Sequence, residues 1–265
     1  MERIIAKKSL GQNFLKSKRA LSEIISAGEV NHDDLVLEIG PGQGALTEKI
    51  LETGAKVIAV EKDDRLISLL NEKFIKETNS GQFTLIHGDI LDLDLAFLKN
   101  SEFKLIANIP YYITGLIFRK FLEGNIQPSK IVIMVQKEIA DRIIARDGKE
   151  SLLSISVKAY GQPKKIMKVD KENFSPAPKV DSAILLIDKI SKKIFENITE
   201  KDFFEVVKAG FSHKRKVLVA NLKQIAEKNN IDIKKEFFNL KIGEKVRAED
   251  LKVENWVELT KRLQN

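Results

Sequence analysis

The chain has 265 residues, 43% of them hydrophobic and 31% charged, no cysteine and a formal net charge of +7. That length supplies one large or two unequal domains with a full core, and the lack of cysteine excludes a disulfide framework and a thiolate metal site. No apolar run reaches the roughly 20 residues of a membrane span, the start has no signal-peptide core, and His32, His87 and His213 are too scattered for a His-rich metal site. A cytoplasmic protein with no membrane attachment and no metal is expected. The charge is uneven: residues 1–20 and 190–265 are each net +5 and the stretch between them is net −3. Basic ends suit a polyanion and a mildly acidic centre suits a small-molecule site, although lysine-rich surfaces also serve solubility alone.

Residues 6–15, Ala-Lys-Lys-Ser-Leu-Gly-Gln-Asn-Phe-Leu, lack periodicity and read as an ordered arm, with Phe14 and Leu15 as anchors. Ser17 then caps a helix to about Ala27, which Gly28 ends. Val36-Leu-Glu-Ile39 is an apolar run that stops in Gly40-Pro-Gly-Gln-Gly44, and a periodic segment starts at Ala45. This is strand, tight turn, helix. Glycines permit positive φ and leave bare backbone for a ligand; alone, such a turn reads equally as plain packing. Lys56–Val60 is a second strand, and it delivers Glu61, where an acidic side chain can accept from both hydroxyls of a ribose. Asp63–Phe74 is helical. Gln82–His87 is a third strand running into Gly88-Asp89, where a carboxylate could accept from the amine of adenine or simply cap a turn. An adenosine-type cofactor at the carboxyl ends of parallel strands follows from the three acidic and glycine positions together.

Lys104–Ala107 is a fourth strand, leading into Asn108-Ile-Pro-Tyr111; helix 113–121, a buried strand 130–135 and helix 136–146 follow. Leu152–Tyr160 and Val180–Ile187 read as a closing strand pair, joined through the proline-stiffened Phe174-Ser-Pro-Ala-Pro178. The alternation predicts an α/β, Rossmann-like doubly wound and mostly parallel sheet over residues 1–189. From residue 190 the strand signal ends, and 203–211, 217–228, 233–238 and 253–263 predict a small all-helical domain over 190–265.

The chemistry points to Asn108–Tyr111. An exocyclic amine of a base is a poor nucleophile because its lone pair is delocalised into the ring. Hydrogen-bond acceptors on its two N–H bonds turn that lone pair outward. The Asn108 side-chain oxygen and a backbone carbonyl beside Pro110 are candidate acceptors, with Tyr111 and Phe174 as stacking faces. A sulfonium methyl donor is already activated, so no strong base is required, in keeping with motifs free of histidine and lysine.

Gly11-Gln-Asn-Phe-Leu15, Glu38-Ile-Gly-Pro-Gly-Gln-Gly-Ala-Leu-Thr47, Glu61, Gly88-Asp89, Asn108-Ile-Pro-Tyr111 and Asn173-Phe-Ser-Pro-Ala-Pro-Lys-Val180 together closely resemble the ribosomal RNA adenine N6-dimethyltransferases. The resemblance implies a class I methyltransferase fold and S-adenosyl-L-methionine as cofactor. It also implies Asn13, Leu15 and Gly40 bordering that cofactor, Glu61 on its ribose, Asp89 on its adenine and Asn108 at the reacting edge. Phe211-Ser-His-Lys-Arg-Lys-Val-Leu218, Asn221-Leu222 and Arg247-Ala-Glu-Asp-Leu251 are similar to the branch acting on small-subunit rRNA. That branch is expected to dimethylate two adjacent adenines near the 3′ end of the RNA in an assembling ribosomal subunit. The enzyme would be a monomer, with Lys214, Arg215, Lys216 and Arg247 on the RNA. Tyr112 departs from the family, which usually has Asn there, and Ser151-Leu-Leu-Ser154 matches its pattern only in part. The antibiotic-resistance branch acting on large-subunit rRNA and a non-catalytic RNA-binding assembly factor are the alternatives. An NAD-dependent dehydrogenase shares the glycines and Glu61 but has no use for Asn-Ile-Pro-Tyr.

Overall fold

The computed structural model describes residues 6, 7 and 10–264. Lys8 and Ser9 of the predicted arm lie outside them. In chain order the elements are β1 (Phe14–Leu15), α1 (Lys18–Gly28), β2 (Leu35–Ile39), α2 (Ala45–Leu51), β3 (Lys56–Glu61), α3 (Asp64–Lys73), α4 (Ile75–Asn79), β4 (Phe83–His87), β5 (Lys104–Ala107) and α5 (Thr114–Phe118). There follow β6 (Lys130–Gln136), α6 (Lys137–Ile143), α7 (Leu152–Lys158), β7 (Gln162–Val169), β8 (Phe174–Ser175), β9 (Ser182–Asp188), α8 (Glu200–Gly210), α9 (Leu218–Lys228), α10 (Ile233–Asn239) and α11 (Val253–Leu263). No helix among the described residues is long and apolar enough to cross a membrane.

Two compact units form. The first comprises residues up to Ala140 and Gln162–Ile190; the second comprises Asp141–Gly161 and the residues from Ser191. In the first, seven strands lie in the order β4-β3-β2-β5-β6-β9-β7. Neighbours from β4 to β6 are parallel, and β9 runs antiparallel to both β6 and β7. The order reverses direction between β2 and β5, which makes their carboxyl ends the crevice where such sheets hold ligands. The core is apolar and close: Val36, Val57, Ile106, Val132 and Ile184 are buried on the sheet, and Phe74 meets Phe83 with ring centroids 5.1 Å apart.

Segment 152–160, expected to be a strand, is the helix α7. Its Leu-Leu-Ser-Ile-Ser-Val alternation imitates a strand, but Ser151 and Ser154 exchange side-chain-to-backbone bonds as a capping box and start a helix. The strand that closes the sheet beside β9 is β7, a segment that carries no strand pattern in the sequence. Its Gln-Pro-Lys-Lys-Ile-Met-Lys-Val has three lysines and a proline because an edge strand needs no continuous apolar run. Segment 141–161, counted with the sheet in the sequence analysis, packs within the helical unit. There Trp256, Phe203 and Phe237 are fully buried and Phe211 stacks on Trp256 at 5.5 Å. Gly210 is required at that contact, since a Cβ would stand 2.3 Å from the indole.

The turn after β2 uses φ values of +66°, +59° and +77° at Gly40, Gly42 and Gly44. Gly44 ends the turn as the residue before α2, with Phe74 against it; a Cβ there would lie 2.6 Å from the Phe74 ring. Replacing Gly44 by Ala therefore adds left-handed backbone strain to overpacking, and we expect a loss of about 2–5 kcal/mol. In denaturant melts, Phe74→Leu in the Gly44→Ala background should recover the packing part and not the backbone part. No recovery would show that the ring is not what excludes a side chain.

Inside β2, Glu38 is 1% exposed, and neither carboxyl oxygen has a hydrogen-bond partner among the described residues. Burial pushes its pKa from about 4.5 up to about 8; Thr47 beside it offsets only part of the rise, and the Glu61 charge adds to it. Between those two values the folded chain keeps a proton that the unfolded chain has released, so stability falls as pH rises through the window. We expect Glu38→Gln to remove this slope, with urea midpoints of the wild type dropping between about pH 5 and pH 8 relative to the variant. Parallel pH profiles for the two proteins would exclude a neutral Glu38.

Candidate active site

A cleft of about 850 Å³ opens in the first unit where β2, β3, β4 and β5 end. Gly40, Glu61, Asp89 and Asn108, predicted from four separate strand ends, all line it, together with Asn13 and Leu15 of the arm and with Pro110 and Tyr111. Parallel pairing places them there. Ile39 is level with Val60 on β3 and with Ala107 on β5, so the residues just past each strand converge.

Glu61 is the last residue of β3. Its Oε2 accepts from the Gly42 N–H at 3.1 Å and its Oε1 from the Asp63 N–H at 2.8 Å. Burial raises the pKa of this carboxyl above its ordinary value, against the lowering effect of those backbone bonds. Each carboxylate oxygen can accept a second bond, which leaves capacity for a diol. Gly40 leaves open space, with Ile109 Cγ2 at 3.9 Å the nearest atom to where a Cβ would stand.

Asp89 acts first as a turn residue, its Oδ1 accepting from the Leu91 N–H at 2.9 Å. Its Oδ2 pairs with Lys62 Nζ at 2.6 Å. Burial would raise its pKa, but Lys62 and the Leu91 N–H outweigh burial and hold it below the usual range. Lys62 itself lines the cleft, so the motifs are not free of lysine as the sequence analysis had it.

Asn108 follows β5. Its Nδ2 points to the Asn13 carbonyl at 3.5 Å, and its Oδ1 has no partner among the described residues. Pro110, with φ −56° and ψ 134°, turns the chain into a short 3₁₀ segment over Tyr111–Ile113. The Tyr111 hydroxyl shares a hydrogen bond of 2.5 Å with Ser182 Oγ on β9, and burial raises the phenol's pKa.

Phe174 does not join this group. The ring is 2% exposed, packed in the core with Leu15 and Leu21, and it offers no face to the cleft. In the antiparallel pairing of β8 with β1, Phe174 is level with Leu15; Phe174 is buried and absent from the cleft lining, whereas Leu15, Ser175 and Pro176 line it.

Three features were not read from the sequence. Gln12 Nε2 donates to Asp63 Oδ2 at 2.7 Å, and Arg65 NH2 donates to the same oxygen at 2.6 Å. The Arg65 guanidinium holds the buried Asp63 carboxyl far below its ordinary pKa, and the junction ties the arm to the start of α3. Glu38 also lines the cleft; a lone carboxylate in an apolar buried strand was the signal for it. Ser182, the partner of Tyr111, left no local signal.

In the helical unit, Lys214, Arg215 and Lys216 are exposed. They lie on the turn before α9 rather than on its first turn, because the helix starts at Leu218. None of the three has an ion-pair partner among the described residues. Arg247 is exposed, and its N–H donates to Asp250 Oδ2 at 2.9 Å.

Known proteins resemble the whole chain. The family model described as ribosomal RNA adenine dimethylase matches residues 4–265. A protein of Fusobacterium nucleatum named ribosomal RNA small subunit methyltransferase A is 40% identical over 258 residues, 96% of each chain. One of the same name from Dehalococcoides mccartyi is 42% identical over 256 residues, covering 96% of this chain and 87% of its own. Among solved structures, a dimethyladenosine transferase from Plasmodium falciparum superposes with a TM-score of 0.78 at 29% identity, over 93% of this chain and 95% of its own. The 23S rRNA methyltransferase ErmE superposes at 0.75 with 24% identity, over 96% of this chain and 100% of its own, which shows a shared fold. With a doubly wound sheet, an Asn-Ile-Pro-Tyr turn at its switch point and this match along its length, the chain belongs to the ribosomal RNA adenine dimethylase family.

Proposed function

We propose that this enzyme dimethylates N6 of two adjacent adenines near the 3′ end of small-subunit ribosomal RNA, in an assembling subunit, with S-adenosyl-L-methionine as donor. The observation that carries the reading is Asn108, its Oδ1 unpartnered, at the strand end beside Gly40, Glu61 and Asp89. The relatives at about 40% identity bear the small-subunit name, whereas the large-subunit enzyme shares only the fold at 24%, and this favours the small subunit. The reading includes a cytoplasmic enzyme working as a monomer.

The residues fit the donor. Glu61 has acceptor capacity for two ribose hydroxyls, Asp89 would accept from an adenine amine, and the clear space at Gly40 admits a ligand against backbone. Asn13 and Leu15 would border it from the arm. The donor supplies a methyl group already activated on a sulfonium. The protein's part is to hold the target amine: Asn108 Oδ1 and a backbone carbonyl beside Pro110 accept its two N–H bonds, so the nitrogen lone pair points into the cleft. A nitrogen–carbon bond forms as the carbon–sulfur bond breaks, and the nitrogen then loses one proton to water. Lys214, Arg215, Lys216 and Arg247 would contact RNA phosphates, which orient the RNA without reading its sequence.

With an rRNA fragment and labelled donor, Asn108→Ala should lower the single-turnover methylation rate by roughly 10²–10³-fold while RNA affinity stays close to wild type. A wild-type rate in that variant would reduce Asn108 to a turn residue. Replacing Lys214, Arg215 and Lys216 together by Ala should flatten the salt dependence of RNA affinity by roughly two to three units of slope. Donor affinity should not change. Superimposable salt titrations would return the three cations to ordinary surface.

A further inference from the structure

Two tyrosines stand side by side at the cleft, and they cannot serve the same base. Tyr111 and Tyr112 are successive residues of a 3₁₀ segment, in which side chains diverge by about 120°. Tyr111 turns inward, half-buried and tied through its hydroxyl to the fully buried Ser182. Tyr112 turns outward and lines the cleft while 66% exposed. One edge of its ring lies beside the arm: a Cβ on Gly11 would stand 3.2 Å from Tyr112 Cε1 and 3.5 Å from Cδ1. One helical turn on, Leu116 also lines the cleft and is 50% exposed. Between them Gly115 has nothing within 4 Å of where its Cβ would be. The result is an aromatic ledge beside the arm, with an open apolar flank, on the same turn as Asn108.

Exposing a tyrosine ring and a leucine together leaves apolar surface without cover, and the ledge continues directly from the cleft. The occupant that fits is a planar, sequence-tolerant π-face carried by the same strand that enters the cleft. We propose that Tyr112, flanked by Leu116, is the stacking platform for the RNA base next to the target adenine, holding that neighbour outside the cleft while the target amine sits against Asn108. The inference rests on the RNA-adenine reading given above and adds a second base subsite to it. Tyr112 binds substrate there and takes no part in the chemical step. Its hydroxyl is dispensable, because stacking uses the ring face.

The test is a cycle between the ring and the base. Single-turnover methylation is measured on rRNA fragments with the neighbouring nucleotide intact or abasic, on the 5′ or the 3′ side, for wild type, Tyr112→Ala and Tyr112→Phe. Tyr112→Ala should raise the half-saturating RNA concentration about tenfold on intact RNA, leave the maximal rate near wild type, and have little further effect on the abasic RNA. Tyr112→Phe should behave as wild type on both, and donor affinity should be unchanged in each variant. Independently of methylation, 2-aminopurine in the neighbouring position should be quenched when the wild type binds and not when Tyr112→Ala binds. An equal loss on intact and abasic RNA, or equal quenching in both proteins, overturns the proposal. A wild type that methylates no adenine in these fragments, yet quenches the neighbour, would instead count against the proposed reaction and leave the ledge standing.

Discussion

The cleft depends on the chain reversing within five residues at the end of β2. Three left-handed glycines make that reversal possible, and two aromatic rings make it compulsory: Phe74 fills the place of a side chain at Gly44, and Phe14 stands 3.1 Å from where one would be at Gly42. Glu61 reaches across from the next strand to accept the Gly42 N–H, so the turn and the candidate ribose acceptor stabilise one another. Lys73 closes the other side, pairing with Glu48 at 2.9 Å and lying over the Phe74 ring. A backbone held from both sides in this way gives a ligand fixed partners, which lowers the entropy cost of binding.

The arm is fastened by charge. Asp63 is buried, and a buried carboxylate is costly unless its oxygens are satisfied. Arg65 and Gln12 satisfy them together, one from α3 and one from the arm, while Asp63 also caps α3. Removing Arg65 would leave the buried Asp63 carboxylate uncompensated, and the charge-assisted bond from Gln12 to that carboxylate fastens the arm. Strand β1 adds a second attachment through β8, and beside the buried Phe174 the next residues, Ser175 and Pro176, line the cleft.

Polar groups are spent unevenly in this cleft. Glu61 and Asp89 accept backbone or side-chain donors, whereas burial pushes the pKa of the Glu38 carboxyl up to about 8. A neutral Glu38 carboxyl keeps the cleft less negative than its residue list implies. That matters for an enzyme whose substrate is a polyanion, because each uncompensated negative charge near the entrance would repel it.

How far these features could be read without coordinates follows from the range of the forces involved. Strand ends, the glycine turn, the helix caps at Ser17 and the positions of Glu61, Asp89 and Asn108 were legible. Each is written in a few adjacent residues, and parallel pairing then brings equivalent strand ends level. The Lys-rich edge strand β7 was misread because it is a strand through its pairing with β9, and the helix α7 because its strand-like alternation masked the local Ser151–Ser154 capping box. Phe174 was assigned to the cleft because an aromatic beside two prolines carries no sign of which way it faces; packing in the core decided that. The same holds for Tyr111 and Tyr112, two identical residues in a row. Sequence alone pointed to an adenosine-type ligand and an adenine amine at the strand ends near Asn108. Only the tertiary structure, by offering Ser182 to the Tyr111 hydroxyl, decided which tyrosine turns inward and which faces solvent.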